Sequence, residues 1–331
     1  MKYLVTGGGG FLGGAIVRQL LARGDEVRIL ARSRYPELES MGVESVCGDL
    51  ADRRVCAEAV LGVDAVFHVA AKPGIWGTYD TYYRTNTLGT ENMISVCRQH
   101  GVGRLIYTST PSVVHAGTDI SGADESLPYP KHFETAYPET KALAERAVLS
   151  AHGPELATVA LRPHLIWGPG DNHLVPRILS RARAGRLKFV GRPSPLVDST
   201  YIDDGARAHI MAADALAWGA ACGGKAYFIS QGEPWATDRL INGILKAAGE
   251  APVSKYVSAR LAFVVGAILE SVYRLFRIQG EPIMTRFLAR QLSTAHWYDI
   301  GAAKRDFGYE PEISIDAGLS RLAQALSEDE D

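Results

Sequence analysis

Short runs of apolar and β-branched residues alternate with longer segments of helical periodicity through the first half of the chain. Apolar runs of about four to eight residues, bounded by turn residues, are typical of strands that are buried on both faces. We predict strands at 2–6, 26–31, 44–47, 65–70, 104–109, 158–162 and 226–230. Because helical patterns separate these strands, the chain is expected to form an α/β fold with a doubly wound parallel sheet of about seven strands.

Helices are predicted between these strands at 11–23, 52–60 and 86–100. Gly24 and Gly101 follow two of them, at the position where glycine commonly ends a helix. The regular alternation stops after Pro163, and residues 236–325 have a mainly helical pattern. The chain ends in the acidic sequence SEDED, which we expect to be a solvated end.

Composition excludes several classes of function. A hydrophobic content of 47% with 22% charged residues is typical of a globular protein with a large core. The formal net charge of -2 gives no basic surface for a nucleic acid. The four cysteines show neither CxxC pairs nor histidines at metal-ligand spacing, which predicts reduced thiols and no metal site.

The N-terminus lacks the apolar stretch of a signal peptide. The most apolar segment, LAFVVGAIL (261–269), ends at Glu270 and is about half of the ~20 residues that a spanning helix needs. We therefore expect a cytoplasmic protein with at most peripheral membrane contact.

The sequence TGGGGFLGGA (6–15) follows the first predicted strand and leads into the first helix. Gly7, Gly10 and Gly13 in this sequence suit a tight turn, close approach of a pyrophosphate and close packing of helix on sheet. The helix N-terminus at Phe11 and Leu12 would offer amide groups to phosphates. This pattern predicts a dinucleotide site. We predict a dinucleotide-binding domain at 1–165, to which 200–232 returns, and a smaller, mainly helical substrate-binding lobe at 166–199 and 233–331.

The end of the second strand indicates which dinucleotide binds. NAD sites usually carry an acidic residue there for the ribose 2′-hydroxyl, whereas this chain has Ala31 followed by Arg32 and Arg34. Guanidinium groups bind a 2′-phosphate well, so we predict NADPH, with surface arginines as the alternative. Asp49 is a candidate partner for the adenine amino group, or else an N-cap for the next helix.

The sequence AYPETK places Tyr137 and Lys141 on one face of a helix. Reduction of a ketone needs a proton for the developing alkoxide, and a nearby ammonium should lower the tyrosine pKa toward neutrality. Thr110, at the end of the fifth strand, could hold the substrate oxygen beside the tyrosine. The alternative is an exposed start of a helix without a catalytic role.

Several motifs in order carry a family resemblance: TGGGGFLG, GDL, HVAA (68–71), YTST, YPETK, LRP (161–163) and STYIDD (199–204). Together they resemble an extended short-chain dehydrogenase/reductase, with a Rossmann fold, and most closely its 3β-hydroxysteroid dehydrogenase and sterol-decarboxylating branch. The stretches LIYTSTPSV, LRPHLIWGPGDNHLVPR and LVDSTYID are similar to bacterial reductases of 2-alkyl-3-oxoalkanoates in long-chain olefin biosynthesis.

The resemblance implies catalytic roles. Tyr137 would be the general acid, and Lys141 would bind the nicotinamide ribose and tune the tyrosine. Thr110 stands where many relatives carry the catalytic serine, with Ser109 and Ser112 as competing candidates.

The resemblance also implies further site residues. Ala70, Ala71 and Leu50 would border the cofactor, and Pro163 would lie near the nicotinamide carboxamide. Asn86 would support the site through backbone contacts and water, although a helical polar residue without a role is a fair alternative.

Aromatic residues suggest an apolar substrate. Trp76 and several tyrosines follow the fourth strand, and Trp167 follows the sixth, which fits a pocket for a long alkyl chain. Each of them could instead fill the core of the second lobe. His173 and Arg177 are candidates for binding a substrate carboxylate, and Ser112 is a further substrate candidate.

The combined expectation is NADPH-dependent, reversible reduction of the ketone of a 2-alkyl-3-oxoalkanoate, a small molecule with apolar tails. The alternatives are a 3β-hydroxysteroid or sterol dehydrogenase, a nucleotide-sugar epimerase, or a non-catalytic dinucleotide-sensing scaffold. By resemblance, a homodimer and a complex with other olefin-biosynthesis enzymes are expected. Residues 259–278 would cover the pocket, or else contact a membrane or a partner.

Overall fold

Seven parallel strands form the central sheet of the computed structural model, which describes residues 1–328. The last three residues of the acidic end, 329–331, lie outside the described residues. The strands in the described part are, in chain order, β1 (Lys2–Thr6), β2 (Glu26–Ala31), β3 (Glu44–Cys47), β4 (Ala65–His68), β5 (Arg104–Thr108), β6 (Ile120–Ala123), β7 (Ala157–Pro163), β8 (Ile166–Trp167), β9 (Phe189–Val190), β10 (Leu196–Val197), β11 (Thr200–Tyr201), β12 (Ala226–Ile229), β13 (Trp235–Ala236), β14 (Tyr256–Val257) and β15 (His296–Tyr298).

The helices surround this sheet and build most of the C-terminal lobe. Across residues 1–328 they are α1 (Phe11–Ala22), α2 (Pro36–Ser40), α3 (Arg53–Ala59), α4 (Tyr79–Tyr82), α5 (Gly89–Gln99), α6 (Ala136–Ser150), α7 (Leu174–Arg183), α8 (Ile202–Ala215), α9 (Thr237–Ala247), α10 (Ala259–Leu275), α11 (Arg286–Ser293), α12 (Gly301–Phe307) and α13 (Ile315–Glu328). A turn of π-helix, Tyr83–Leu88, joins α4 to α5, and the 3₁₀ turn Pro111–Val113 follows β5.

The central sheet has the strand order β12-β7-β5-β4-β1-β2-β3, which confirms the predicted doubly wound parallel fold. Successive residues of a strand point to opposite faces, so Leu4 and Val5 belong to two different apolar clusters. Helices α1 and α8 cover one face, whereas α3, α5 and α6 cover the other. Coverage of both faces explains why the strands read as continuous apolar runs.

Two helix ends follow the glycine prediction. Gly24 and Gly101 have positive φ angles of 84° and 70° and follow α1 and α5. The predicted helix at 86–100 begins earlier than expected, because α4 and the π-helical turn precede α5.

A second, four-stranded sheet, β13-β10-β15-β6, belongs mainly to the C-terminal lobe. Its edge strand β6 comes from the segment predicted to lie wholly within the first domain, and β6 pairs in parallel with β15. Strand β6 therefore links the first predicted domain to the sheet of the C-terminal lobe, and the predicted domain bounds stay a prediction. None of the helices described in residues 1–328 is long and apolar enough to span a bilayer.

Candidate active site

A cavity of about 860 Å³ opens at the carboxyl ends of the central strands. It lies where the strand order reverses between β1 and β4, the position at which doubly wound sheets bind ligands. The predicted residues that line this cavity are Gly7, Gly10, Phe11, Leu12, Gly13, Arg32, Asp49, Leu50, Ala70, Ala71, Thr110, Tyr137, Lys141, Pro163 and His173.

The glycine turn is built for close backbone packing. Gly7 has a φ of 69°, and a Cβ atom there would lie 3.0 Å from the Cα of Ala70. A Cβ on Gly13 would lie only 2.2 Å from the carbonyl oxygen of Gly7, so α1 can approach the turn only with glycine at this position. The chain enters α1 at Gly10 without any side-chain cap. The amides of the first turn therefore have neither an intrahelical partner nor a side-chain acceptor, which suits an anion.

A buried hydrogen-bond network holds the end of β4 beside the glycine turn. The Thr6 hydroxyl contacts His68 Nδ1 at 2.9 Å, and the Ala70 amide donates to the same hydroxyl at 3.1 Å. His68 Nε2 contacts Thr90 Oγ1 at 2.9 Å. Burial lowers the pKa of His68 to about 3, so the ring is neutral at physiological pH. Its two hydrogen bonds hold β4 in position between Thr6 and Thr90.

The two arginines after β2 separate in the structure. Arg32 lines the cavity and, among residues 1–328, takes part in no ion pair. Arg34 forms a two-point ion pair with Glu39, at 2.9 Å for each contact, and does not line the cavity. Glu39 in α2 thus holds the guanidinium group that the sequence assigned to the cofactor, and a role for Arg34 at the 2′-phosphate stays a prediction.

Asp49 lies in the turn after β3 and lines the cavity. Its carboxylate accepts a hydrogen bond from the Ala51 amide at 2.9 Å. The N-cap of α3 is Asp52, whose side chain accepts from the Arg54 amide. The alternative interpretation of Asp49 as a helix cap is therefore wrong.

Tyr137 and Thr110 meet at the wall of the cavity. Burial raises the pKa of Tyr137 to about 12, and its hydrogen bond with Thr110 opposes that rise. The Ser112 amide donates to Thr110 Oγ1 at 3.3 Å, which fixes the threonine hydroxyl beside the tyrosine. Ser109 also lines the cavity, but its buried hydroxyl has no partner within the described residues. Ser112 lies behind Thr110 and does not line the cavity.

Lys141 lies one helical turn after Tyr137 and is 2% exposed. Its ammonium group donates to the Thr108 carbonyl at 2.6 Å and lies 4.1 Å from the centre of the Tyr107 ring. Burial lowers the pKa of Lys141 to about 7, although the charge of Glu145 opposes the shift. Burial is the largest influence on the pKa of Tyr137 and raises it, opposite to the shift toward neutrality that the sequence predicted.

Asn86 joins the loop after β4 to α6. Its side-chain oxygen accepts from the Lys72 amide at 2.7 Å. Its side-chain nitrogen donates to the Lys72 carbonyl at 3.2 Å and to Thr140 Oγ1 at 3.1 Å. Asn86 does not line the cavity, and its predicted support of the site would act through these contacts.

A second cavity of about 710 Å³ lies beyond Tyr82 and the start of α6. Trp76 lines it, together with Phe263 of α10 and Phe287 of α11. The Tyr82 ring packs edge-on against Tyr137, with 6.5 Å between ring centres, so the second cavity lies next to Tyr137.

Two predicted substrate residues lie away from both cavities. Trp167 is fully buried and packs edge-on against Tyr201 in the core. Arg177 forms an ion pair with Glu281 on the surface. The prediction for Trp167 is corrected, because its ring fills the core of the lobe. The guanidinium group of Arg177 has a carboxylate partner in this structure, and its contact with a substrate carboxylate stays a prediction.

Sequence reasoning missed several residues that line the first cavity: Ser33, Tyr35, Lys72, Arg84 and Leu165. Each follows a strand or lies on the helix that faces one. Tyr35 covers the glycine turn so closely that a Cβ on Gly9 would lie 2.0 Å from its ring. Except for Arg84, which lies in the π-helical turn, they come soon after strands β2, β4 and β7, and residues at these strand ends are expected to line the ligand cavity of such a sheet.

Comparison with known proteins matches the family model described as "3-beta hydroxysteroid dehydrogenase/isomerase family" to residues 4–258. The chain is 56% identical to a 2-alkyl-3-oxoalkanoate reductase from Stenotrophomonas maltophilia (strain K279a), over 97% of this chain and 98% of that protein. It is 38% identical to the sterol-4-alpha-carboxylate 3-dehydrogenase, decarboxylating, of Mus musculus, over 98% of this chain and 91% of that protein.

Among solved structures, MoeE5 in complex with UDP-glucose and NAD superposes with a TM-score of 0.78 at 23% identity, and all of both chains is covered. This similarity shows the fold alone, and it agrees with the predicted sheet. The family match and the full-length relatives confirm the predicted resemblance. The chain therefore belongs to the 3-beta hydroxysteroid dehydrogenase/isomerase family and is an oxidoreductase of the short-chain dehydrogenase/reductase type.

Proposed function

We propose that this protein catalyses the NADPH-dependent reduction of the ketone of a 2-alkyl-3-oxoalkanoate to the 2-alkyl-3-hydroxyalkanoate. The observation that carries the proposal is the placement of the Tyr137 and Thr110 hydroxyls in the same cavity as the glycine turn. The 56% identity with a reductase of that name supports the substrate class. The same groups would catalyse the reverse oxidation.

The first cavity fits a nicotinamide dinucleotide. The absence of a Cβ at Gly7 and Gly13 leaves backbone for phosphates to approach, and the uncapped start of α1 supplies amide donors. Arg32, Asp49 and Ala70 would hold the adenosine side, and Pro163 would contact the nicotinamide side. The bound cofactor would supply the hydride that the ketone carbon accepts.

NADPH rather than NADH is supported by the end of β2. Ala31 carries no charge, so no carboxylate there would repel a 2′-phosphate. Arg32 is exposed at the cavity with its guanidinium unpaired within residues 1–328, and it can form charge-assisted hydrogen bonds with that phosphate.

Tyr137 would donate its proton to the ketone oxygen as negative charge develops there. The raised pKa keeps the phenol protonated at neutral pH, ready to act as an acid in the reductive direction. Thr110 would orient the substrate oxygen toward the tyrosine. Lys141 would stabilise the phenolate that forms after proton transfer, because its ammonium lies in the same buried region.

The second cavity would accept alkyl chain. Trp76, Phe263 and Phe287 provide apolar side chains next to Tyr82, which packs against Tyr137. The charged side chains in the same wall include two ion pairs, Arg286 with Glu270 and Arg290 with Glu134. A substrate branched at its second carbon carries two alkyl chains next to the reacting ketone. The adjoining cavity would bury at least one of these chains.

The test is NADPH oxidation by the purified protein with a freshly prepared racemic long-chain 2-alkyl-3-oxo acid. A ketosteroid replaces the acid in a second assay, and NADH replaces NADPH in a third. Turnover that requires the acid and NADPH supports the proposal. Turnover on the steroid alone would assign the enzyme to the steroid branch, and equal rates with NADH would reject the cofactor preference.

A further inference from the structure

Helix α10 presents an apolar face to solvent. Leu261, Val264 and Ile268 are spaced along one side of the helix and are about half exposed. The same side continues into Leu275 and Phe276, which are 76% and 69% exposed. A surface helix normally turns its apolar side inward, so a continuous exposed stripe of this length indicates an interaction surface.

The opposite side of α10 is attached to the protein. Gly266 packs so closely on Thr285 that a Cβ would lie 2.6 Å from the Thr285 carbonyl carbon. Glu270 is buried and accepts hydrogen bonds from Arg286 at 2.7 Å and 2.8 Å. Because these contacts fix the rotation of α10, its apolar stripe cannot turn inward without losing a buried ion pair.

Positive charge surrounds the apolar stripe. Arg260 precedes its first residue, and Arg277 lies at its other end. The two carboxylates within 259–283, Glu270 and Glu281, are each in an ion pair with an arginine. The stripe is therefore apolar in the middle and cationic at both ends.

We propose that α10 and the turn after it, residues 260–278, form an interfacial surface that binds an anionic lipid membrane. A single convex helix with a broad apolar face and flanking guanidinium groups matches the geometry of helices that lie in the headgroup region of a bilayer. A protein partner would need a groove to receive the convex face, whereas acyl chains adapt to it. The arginines would meet lipid phosphates.

The position of α10 also links the proposed membrane-binding surface to the second cavity. Phe263, Glu270 and Arg274 of this helix line the second cavity, so the membrane-facing helix is a wall of the chamber next to Tyr137. A long-chain keto acid partitions into membranes, and a docked enzyme would receive it directly at that chamber. This delivery role rests on the proposed function, whereas the membrane contact does not.

The test is flotation of the full chain, without substrate or cofactor, with vesicles of phosphatidylcholine mixed with phosphatidylglycerol and with vesicles of phosphatidylcholine alone. We expect the wild type to float with the mixed vesicles and much less with the neutral ones. The triple variant Ile268→Gln/Leu275→Gln/Phe276→Gln should lower the partition coefficient at least about tenfold. The variant Arg260→Gln/Arg277→Gln should lose the preference for anionic vesicles.

The matched control is Leu61→Gln/Trp218→Gln, which removes two other exposed apolar side chains, 51% and 60% exposed, and should float as the wild type does. Absence of flotation with mixed vesicles, or full flotation of the triple variant, would overturn the proposal. Self-association in solution that the triple variant abolishes, without flotation of the wild type, would assign the face to a second copy instead. Because no reaction is measured, failure of the reductase proposal would leave these results unchanged.

Discussion

The two cavities that meet near Tyr137 are built from different materials. The first is lined largely by backbone and small residues at the ends of neighbouring parallel strands, such as Gly7 and Ala70. The second is lined by long side chains from α4, α6, α10 and α11, including the ion-paired Arg286 and Arg290. Close backbone contacts at the edge of the central sheet fix the shape of the first cavity. The shape of the second depends on how the helices of the C-terminal lobe pack.

The difference between the two linings predicts which substitutions should impair binding. In the first cavity a single added methyl group meets backbone that cannot move. In the second, half-exposed side chains such as Arg290 and Glu134 can rearrange at little cost in stability, whereas the buried Glu270 carboxylate needs its arginine. We expect cofactor binding to be intolerant of change and substrate choice to be adjustable.

Tyr137→Phe gives the largest expected effect, since it removes the proton donor that serves both cavities. We expect kcat to fall about 10³-fold with the cofactor Kd unchanged, a loss within the usual range for a general acid. Rapid-mixing kinetics with the keto acid measure it. The control is Tyr256→Phe, which removes a hydroxyl that donates to Asp238 and lines neither cavity. A Tyr137→Phe enzyme with wild-type kcat would contradict the assigned role.

Gly13→Ala tests the rigidity of the first cavity. A Cβ there would lie 2.2 Å from the Gly7 carbonyl oxygen, so the turn must shift. We expect the NADPH Kd, measured by calorimetry, to rise at least about 30-fold, which is about 2 kcal/mol. Gly14→Ala is the matched control, since its Cβ would lie 3.4 Å from its nearest neighbours. Similar affinities for both variants would show that the turn is not sterically fixed.

Arg32→Ala should weaken NADPH binding about 10- to 100-fold, as expected for the loss of charge-assisted hydrogen bonds, and should leave NADH binding nearly unchanged. Arg34→Ala should have little effect on either cofactor, because Arg34 is paired with Glu39. Equilibrium titration of each variant with both cofactors measures this. The reverse ranking would mean that the ion pair opens to bind the phosphate.

Lys141 should make stability depend on pH. Its folded-state pKa of about 7 lies below the ordinary 10.5, so between these values the unfolded chain holds a proton that the folded chain has lost. The free energy of unfolding should therefore rise with pH, by about 1 kcal/mol from pH ~7 to ~8, relative to Lys141→Met. Urea unfolding at both pH values measures this difference. Parallel profiles for the two proteins would show that Lys141 stays protonated.

Arg177→Ala should have the smallest effect. The sequence predicted a contact with the substrate carboxylate, but the guanidinium group pairs with Glu281 on the surface. We expect KM to change less than about twofold for acidic and neutral ketones alike. A rise in KM for the acid alone would restore the contact that the sequence predicted.

The sequence predicted the central sheet well because each buried strand is a local apolar run that ends at a turn. All seven strands form, although β4 ends at His68 rather than at residue 70, since Ala70 turns away to line the cavity. The glycine positions could be predicted because steric exclusion depends on local backbone. The π-helical turn at Tyr83–Leu88 could not, because its pattern resembles an ordinary helix.

The substrate side could not be predicted to the same degree because its contacts join segments far apart in the chain. Strand β6 pairs with β15 across more than half of the sequence, and no local pattern indicates that partner. Trp167 and Arg177 had suitable chemistry, but Tyr201 and Glu281 engage them from distant parts of the chain. Residue type suggested a role, and tertiary packing decided it.

The most direct test of the account follows the hydride itself. NADPH that carries deuterium at its transferring position is incubated with enzyme and the 2-alkyl-3-oxo acid, and the product is analysed by mass spectrometry. We predict one deuterium on the carbinol carbon of the 2-alkyl-3-hydroxyalkanoate, with one NADPH oxidised for each product formed. A product without deuterium, or an unchanged acid with cofactor retained on the enzyme, would contradict it.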